Sequence, residues 1–143
     1  MKPRVLVSLC LTGVACRYDG RDNGIDLRTL MDRAELIPVC PEQLGGLPTP
    51  RSPSEWQGKR IVNQAGQDVT AQYLRGGEEA VRLARTLGCE LAILKERSPA
   101  CGSREIYDGS FSGVLLPGEG SAARALREAG IPVLGESELD KLK

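Results

Sequence analysis

The 143-residue sequence predicts an α/β fold. We expect a single-domain, Rossmann-like parallel sheet of about four strands flanked by helices, with a small hairpin and long loops rich in proline and glycine. Short apolar runs with many branched residues are typical of strands buried on both faces of such a sheet. These runs alternate with segments of helical periodicity, as in parallel strands joined by right-handed crossovers. Residues 1–143 are expected to form one domain, because this length suits a single core.

The first half of the chain predicts strands, a helix and the hairpin. In chain order these are a strand at 5–9, a helix at 25–33, a strand at 35–39 and a hairpin pairing 60–63 with 67–69. Proline and glycine are so frequent in residues 41–58 that we expect a long loop there without regular structure.

The second half continues the alternation of helix and strand. Its predicted elements are a helix at 70–87, a strand at 91–94, a long loop through residue 113, a helix at 121–129, a strand at 131–134 and a short terminal helix from residue 136. On the longest helix the pattern places Tyr73, Leu74 and Ala80 toward the core, together with Val81, Ala84 and Leu87. The pair Gly76–Gly77 predicts a kink or a break in that helix.

Composition excludes several classes of function. Nineteen basic and nineteen acidic residues balance and are interspersed, so there is no strong nucleic-acid signal. No apolar run approaches the roughly 20 residues of a membrane helix, and no signal peptide is visible. We therefore expect a soluble, cytoplasmic protein with a small-molecule partner. The sequence leaves its oligomeric state open.

Five cysteines and no histidine shape the expected chemistry. In a reducing cytosol, an odd number of cysteines indicates metal binding or catalysis more than a disulfide framework. Without histidine, acid–base work falls to carboxylates, hydroxyls or thiols.

Three of the cysteines follow predicted strands at the same edge of the sheet. Cys10 ends the first strand, Cys40 ends the second, and Cys101 lies in the loop after the third. Ligands of open α/β sheets bind beyond this edge, so we interpret the three as a ligand set. Cys16, in the same loop as Cys10, is either a fourth ligand or a free reactive thiol. Cys89 lies at the opposite edge and is expected to be a buried, small hydrophobic residue.

The ligand set favours an iron–sulfur cluster. Structural zinc sites normally show paired C-x2-C knuckles, which are absent here. Cysteines far apart in sequence suit a cluster better. Three ligands on a [4Fe–4S] cluster would leave one open iron, a soft Lewis acid available to a sulfur-bearing substrate.

Two groups that are not thiols are candidates for catalysis. Glu42 lies two residues from a proposed ligand and is either a general base or a solvated loop carboxylate. Ser98 precedes a proline and could simply begin a turn. Arg51 is expected to brace its loop more than to hold substrate.

Three motifs together resemble the bacterial thiouracil desulfidases. They are CLTGVACRYDG at residues 10–20, VCPE at 39–42 with GGLPTPR at 45–51, and SPACGS at 98–103. The likeness covers essentially the whole chain.

The resemblance implies an oxygen-sensitive [4Fe–4S] cluster held by Cys10, Cys40 and Cys101. It implies non-redox desulfuration of thiolated pyrimidines, of the 2-thiouracil or 4-thiouracil type, to uracil and hydrosulfide. In that reaction the substrate sulfur binds the open iron, Glu42 and Ser98 activate water, and Cys16 is an additional thiol. Some relatives carry a second domain that this chain lacks, which favours a free base or nucleoside as substrate.

The sequence leaves two other classes of function open. One is a non-catalytic module that binds or senses an iron–sulfur cluster, although such a module has no need of Glu42. The other is a nucleotide-binding domain with incidental thiols, but no G-x-G-x-x-G or P-loop follows the first strand.

Overall fold

The computed structural model describes residues 2–142, which contain eight strands and four α-helices. The strands are β1 (Arg4–Ser8), β2 (Glu35–Val39), β3 (Ser54–Gln57), β4 (Arg60–Asn63), β5 (Cys89–Leu94), β6 (Glu105–Tyr107), β7 (Leu115–Pro117) and β8 (Val133–Gly135). The helices are α1 (Arg28–Arg33), α2 (Pro41–Leu44), α3 (Thr70–Thr86) and α4 (Ser121–Glu128), with 3-10 turns at Leu9–Thr12 and Glu136–Leu142.

The predicted parallel α/β fold is confirmed. Four strands form one parallel sheet in the order β2-β1-β5-β8. Alternate residues of β1 point to opposite faces, so Leu6 packs in the larger core with α3 and α4, while Val5 and Val7 pack in a smaller core with α1. The central strands β1 and β5 are therefore covered on both faces, as their apolar sequences predict.

The strand β2 lies at an edge of this sheet, paired with β1 alone among residues 2–142. Pro38 stands within it, opposite Val7 of β1. Proline is compatible with an edge strand because its missing N–H need not serve a second neighbour.

The prediction that residues 41–58 lack regular structure is wrong. Pro41 begins the short helix α2, where its missing N–H is needed by no partner. The strand β3 pairs antiparallel with β4 across a turn in which Gly58 has a φ of 63°. Residues 67–69, the predicted partner of 60–63, form no strand. They make an isolated bridge through Asp68 and two backbone hydrogen bonds to β4.

The predicted long loop through residue 113 contains the strand β6, the first half of a second hairpin. There β6 pairs antiparallel with β7, and the tip between them spans residues 108–114. Each strand has three residues, too few to establish an alternating pattern. Other elements differ from prediction at their ends: α1 begins at Arg28, and β8 begins at Val133.

The predicted break in α3 is wrong, because the helix is continuous through both glycines. Gly76 contacts the backbone of α2 at Pro41, and Gly77 contacts the backbone of α4 at Ser121. Their missing side chains let three helices approach closely. The prediction that Leu74 faces the core is also wrong, since this side chain is 50% exposed.

No helix in the described part of the chain is both long and apolar enough to cross a membrane.

Candidate active site

A cavity of about 650 Å³ opens at the carboxyl edge of the parallel sheet. It lies where the chain leaves β1, β2 and β5. All six site residues predicted from the sequence line it: Cys10, Cys16, Cys40, Glu42, Ser98 and Cys101. The structure therefore brings together residues that are far apart in the sequence.

Each proposed ligand follows its strand through a short, well-defined segment. Cys10 lies in the 3-10 turn after β1, and Cys40 precedes the first residue of α2. Cys101 follows β5 by way of a turn at Ser98, whose Oγ accepts the backbone N–H groups of Ala100 and Cys101 at 3.1 Å each. The turn predicted as the simpler role of Ser98 is thus present. The hydroxyl oxygen of Ser98 is used in this turn, which leaves its proton to be donated.

Burial raises the pKa of every thiol at the cavity. For Cys101, which is 3% exposed, burial is the main cause, and the Ser8 hydroxyl lowers the pKa in part. Burial likewise raises the pKa of Cys10 against a lowering contribution from Asn23. The pKa of Cys16 is raised to about 12, first by burial and then by the neighbouring thiols Cys40 and Cys10. The thiols are therefore protonated at neutral pH unless a metal centre stabilises their thiolates.

The donor set fits an iron–sulfur cluster better than a single ion. Among residues 2–142, no group of three histidine, cysteine, aspartate or glutamate side chains is arranged to hold one metal ion. The proposed ligands instead surround an open volume, and all are soft sulfur donors. Iron–sulfur clusters are bound by cysteines distributed in this way.

Glu42 forms a buried ion pair at one side of the cavity. Its Oε2 accepts from the Nη2 of Arg51 at 2.8 Å and from the Nε at 3.2 Å. The hydroxyl of Tyr73 donates to the same oxygen at 3.3 Å. The side chains of Glu42 and Arg51 are only 13% and 6% exposed. Oε1 accepts no hydrogen bond from the described residues, so one carboxylate oxygen is fixed and the other is available for a proton.

Arg51 braces the loops, as predicted. Besides its bonds to Glu42, it donates to the carbonyl oxygens of Pro48 and Cys16 at 3.2 and 3.1 Å and to the hydroxyl of Thr49 at 3.0 Å. All five of its N–H groups are thereby used. Arg51 consequently ties the Cys16 loop to the segment after α2 and has no donor left for a substrate.

Several residues of the site were not found from the sequence. The sequence pattern places Tyr73 only in the core, yet its hydroxyl reaches Glu42. A buried tyrosine hydroxyl needs such a partner, and this need is the signal that could reveal it. Lys95 follows β5, lines the cavity and pairs with Glu136 at 2.8 Å. Its place directly after the predicted strand 91–94 is the signal that could have located it at this edge.

Cys89 has the structural role predicted for it. It is the first residue of β5, at the end of the sheet opposite the cavity, and it is buried in the larger core.

These features define a class of protein: a parallel α/β domain with a cysteine-lined cavity and a fixed carboxylate at its carboxyl edge. The model of the 2-thiouracil desulfurase family matches residues 5–138. The chain belongs to the 2-thiouracil desulfurase family. The resemblance predicted from the three motifs is thus confirmed, as is the expectation of an enzyme acting in thiouracil desulfuration.

Two relatives cover nearly the whole chain. A solved structure, the [4Fe–4S]-dependent thiouracil desulfidase TudS, is 46% identical, covers 99% of this chain and 95% of its own, and superposes with a TM-score of 0.94. The uncharacterized protein YbbK of Bacillus subtilis (strain 168) is 40% identical, with 96% of this chain and 99% of the relative covered.

Proposed function

We propose that the protein is a [4Fe–4S]-dependent thiouracil desulfidase in which Cys10, Cys40 and Cys101 hold the cluster. The observation that carries this proposal is the delivery of three thiols, by three separate strand ends, to one cavity beside a fixed carboxylate. The name of the solved relative supports the same cofactor and the same class of substrate.

The reaction is hydrolysis of a carbon–sulfur double bond without redox change. When bound, the cluster supplies a soft Lewis acid for the substrate's sulfur. Water adds its oxygen to the ring carbon, the carbon–sulfur bond breaks, and uracil and hydrosulfide are the products. The tasks left to the protein are to activate the water and to manage its protons.

Glu42 is the proposed general base. Arg51 and Tyr73 hold Oε2, so the carboxylate keeps one orientation and presents Oε1 to accept the proton of water. The guanidinium of Arg51 pairs with this largely buried carboxylate and offsets the cost of removing its charge from water.

Ser98 and Cys16 have supporting roles in this proposal. The Ser98 oxygen is held by two backbone N–H groups, so its hydroxyl proton can be directed toward the water or the developing oxygen on the substrate. Cys16 lies beside Cys40, and its protonated thiol can donate a proton to the sulfur as the product leaves.

The test is anaerobic reconstitution of the purified protein with iron and sulfide, followed by incubation with 2-thiouracil and 4-thiouracil. We expect four irons and four sulfides per chain and equimolar release of uracil and hydrosulfide. The cluster-free protein is the control. A full cluster without sulfide release from either base would refute the proposed enzyme activity and favour a non-catalytic module that binds or senses a cluster.

We place this reaction in the cytoplasm, because five free cysteines suit a reducing compartment. The balanced charge supports a free thiolated base or nucleoside as substrate rather than a nucleic acid.

A further inference from the structure

The few aromatic side chains of this protein are concentrated at one place. The sequence has three tyrosines, one phenylalanine and one tryptophan. Four of these five line the cavity, namely Tyr18, Tyr73, Tyr107 and Phe111. Tyr73 is buried and bonded to Glu42, so it belongs with the carboxylate. The other three keep exposed surface around the opening.

Phe111 is held in an unusual backbone conformation. It lies at the tip of the β6–β7 hairpin with a φ of 56°, and Arg97 is the one other residue besides glycine with a positive φ in the described chain. This conformation is uncommon for a bulky side chain. A conformation of this kind persists only where the surroundings impose it, and it is often linked to function.

The backbone conformation of Phe111 is imposed by contacts from the β3–β4 hairpin. Glu55 of β3 accepts, through its Oε1, the backbone N–H groups of Gly109 at 2.9 Å and of Phe111 at 3.1 Å. Gln57 of the same strand donates to the carbonyl oxygen of Gly109 at 2.9 Å. Two side chains of one strand thus fix the tip and set the position of the phenyl ring at the cavity.

We propose that Phe111 binds the substrate by stacking its ring on the face of the planar pyrimidine, and that Glu55 is the positioning residue for this contact. This inference rests on the proposed function. A phenyl group offers no proton and no ligand, so its value in a cavity lies in apolar and stacking contact. The site would accordingly select planar heterocyclic thiones over saturated thioamides that carry the same sulfur.

The first experiment compares Phe111→Leu and Phe111→Tyr with the parent, each as the anaerobic holoenzyme with its iron counted. For 2-thiouracil, the KM of the Leu variant should rise about 5- to 150-fold with little change in kcat, the range expected when a base loses an aromatic partner. Phe111→Tyr keeps an aromatic ring, so its KM for 2-thiouracil should stay near that of the parent. Val114→Ala is the matched control, because Val114 lies on the same hairpin, is 49% exposed and does not line the cavity.

Two further measurements separate stacking from a general disturbance. Uracil has no sulfur to bind iron. Its Kd, measured by calorimetry, should rise in Phe111→Leu by a factor similar to the rise in KM. The nonplanar 5,6-dihydro-2-thiouracil should be a poorer substrate than 2-thiouracil for the parent, and Phe111→Leu should remove most of that preference.

The role of Glu55 is tested with Phe111 intact. Glu55→Ala removes the acceptor for both N–H groups and should raise KM as Phe111→Leu does, whereas Glu55→Gln retains an oxygen acceptor and should restore affinity. Equal affinity of the parent and the Leu variant for uracil would overturn the inference. Failure of the parent to release sulfide from 2-thiouracil would instead refute the proposed function.

Discussion

Gly76→Ala tests how the site is held in place, because Gly76 is where α3 meets α2. A Cβ at this position would lie 1.9 Å from the carbonyl oxygen of Pro41, whereas real Cβ atoms essentially never approach within 3.0 Å. The two helices would therefore have to separate by more than 1 Å, the difference between these distances. Cys40 and Glu42 flank Pro41 and would move with it.

The expected size of the effect combines two opposing contributions. Replacing glycine by alanine within a helix adds roughly 0.8–1 kcal/mol of stability. Overpacking costs typically about 1–3 kcal/mol, and a clash with backbone, which cannot rotate away, belongs at the upper end. We expect the free energy of unfolding to fall by about 1–2 kcal/mol. A displacement of about 1 Å in a catalytic site can cost ~10²-fold in rate, so desulfuration per iron should fall at least about tenfold.

Urea denaturation of the cluster-free protein and the rate of sulfide release per iron measure these two effects. Gly77→Ala is the matched control: its Cβ would lie 3.1 Å from the Ser121 carbonyl oxygen, so the neighbour need move only slightly. It should change stability little and retain activity. The contrary outcome is that Gly76→Ala raises the free energy of unfolding, as glycine-to-alanine changes do at ordinary helical positions, and leaves the activity per iron unchanged. That result would show that the contact between α2 and α3 does not position Cys40 and Glu42.

Three other substitutions test the residues of the site, and a fourth, Cys89→Ser, is a control outside it. Cys40→Ser should lose the iron, because a hydroxyl cannot replace a thiolate on soft iron, whereas Cys89→Ser should keep it. Iron counts after reconstitution check both variants. Loss of iron in Cys89→Ser would contradict the strand-end assignment. Cys16→Ser should keep most of the iron but slow turnover, since Cys16 does not follow a strand, and complete loss of the cluster would make it a fourth ligand. Glu42→Gln should leave the visible spectrum unchanged and lower turnover of 2-thiouracil by roughly 10²-fold or more, the usual scale for a general base. Activity within a few-fold of the parent would clear Glu42 of that role.

The position of the thiols could be predicted because it depends on strong, local signals. The apolar runs before Cys10 and Cys40 predict two strands of one sheet, and parallel strands bring their carboxyl ends to one edge. The same reasoning distinguishes Cys89 from the proposed ligands, because Cys89 begins a strand instead of following one. No knowledge of side-chain contacts is needed for either conclusion.

The residues that support the site from behind, such as Arg51 and the glycines of α3, could not be predicted. Their contacts depend on how separate segments pack. The partners of Arg51 lie in its own loop, at Glu42 and in the Cys16 loop, and nothing in the sequence couples them. Considered alone, the pair Gly76–Gly77 predicts a weakened helix. Its purpose becomes visible only where the backbones of α2 and α4 lie against α3.

The strand that leads to Cys40 is the last strand of its sheet among residues 2–142, and Pro38 affects what could pair with it. A strand from a neighbouring molecule would seek an unbroken row of N–H donors along β2, and proline interrupts that row. Strand exchange or edge-to-edge aggregation at β2 is thereby discouraged, even in the concentrated solutions used for reconstitution.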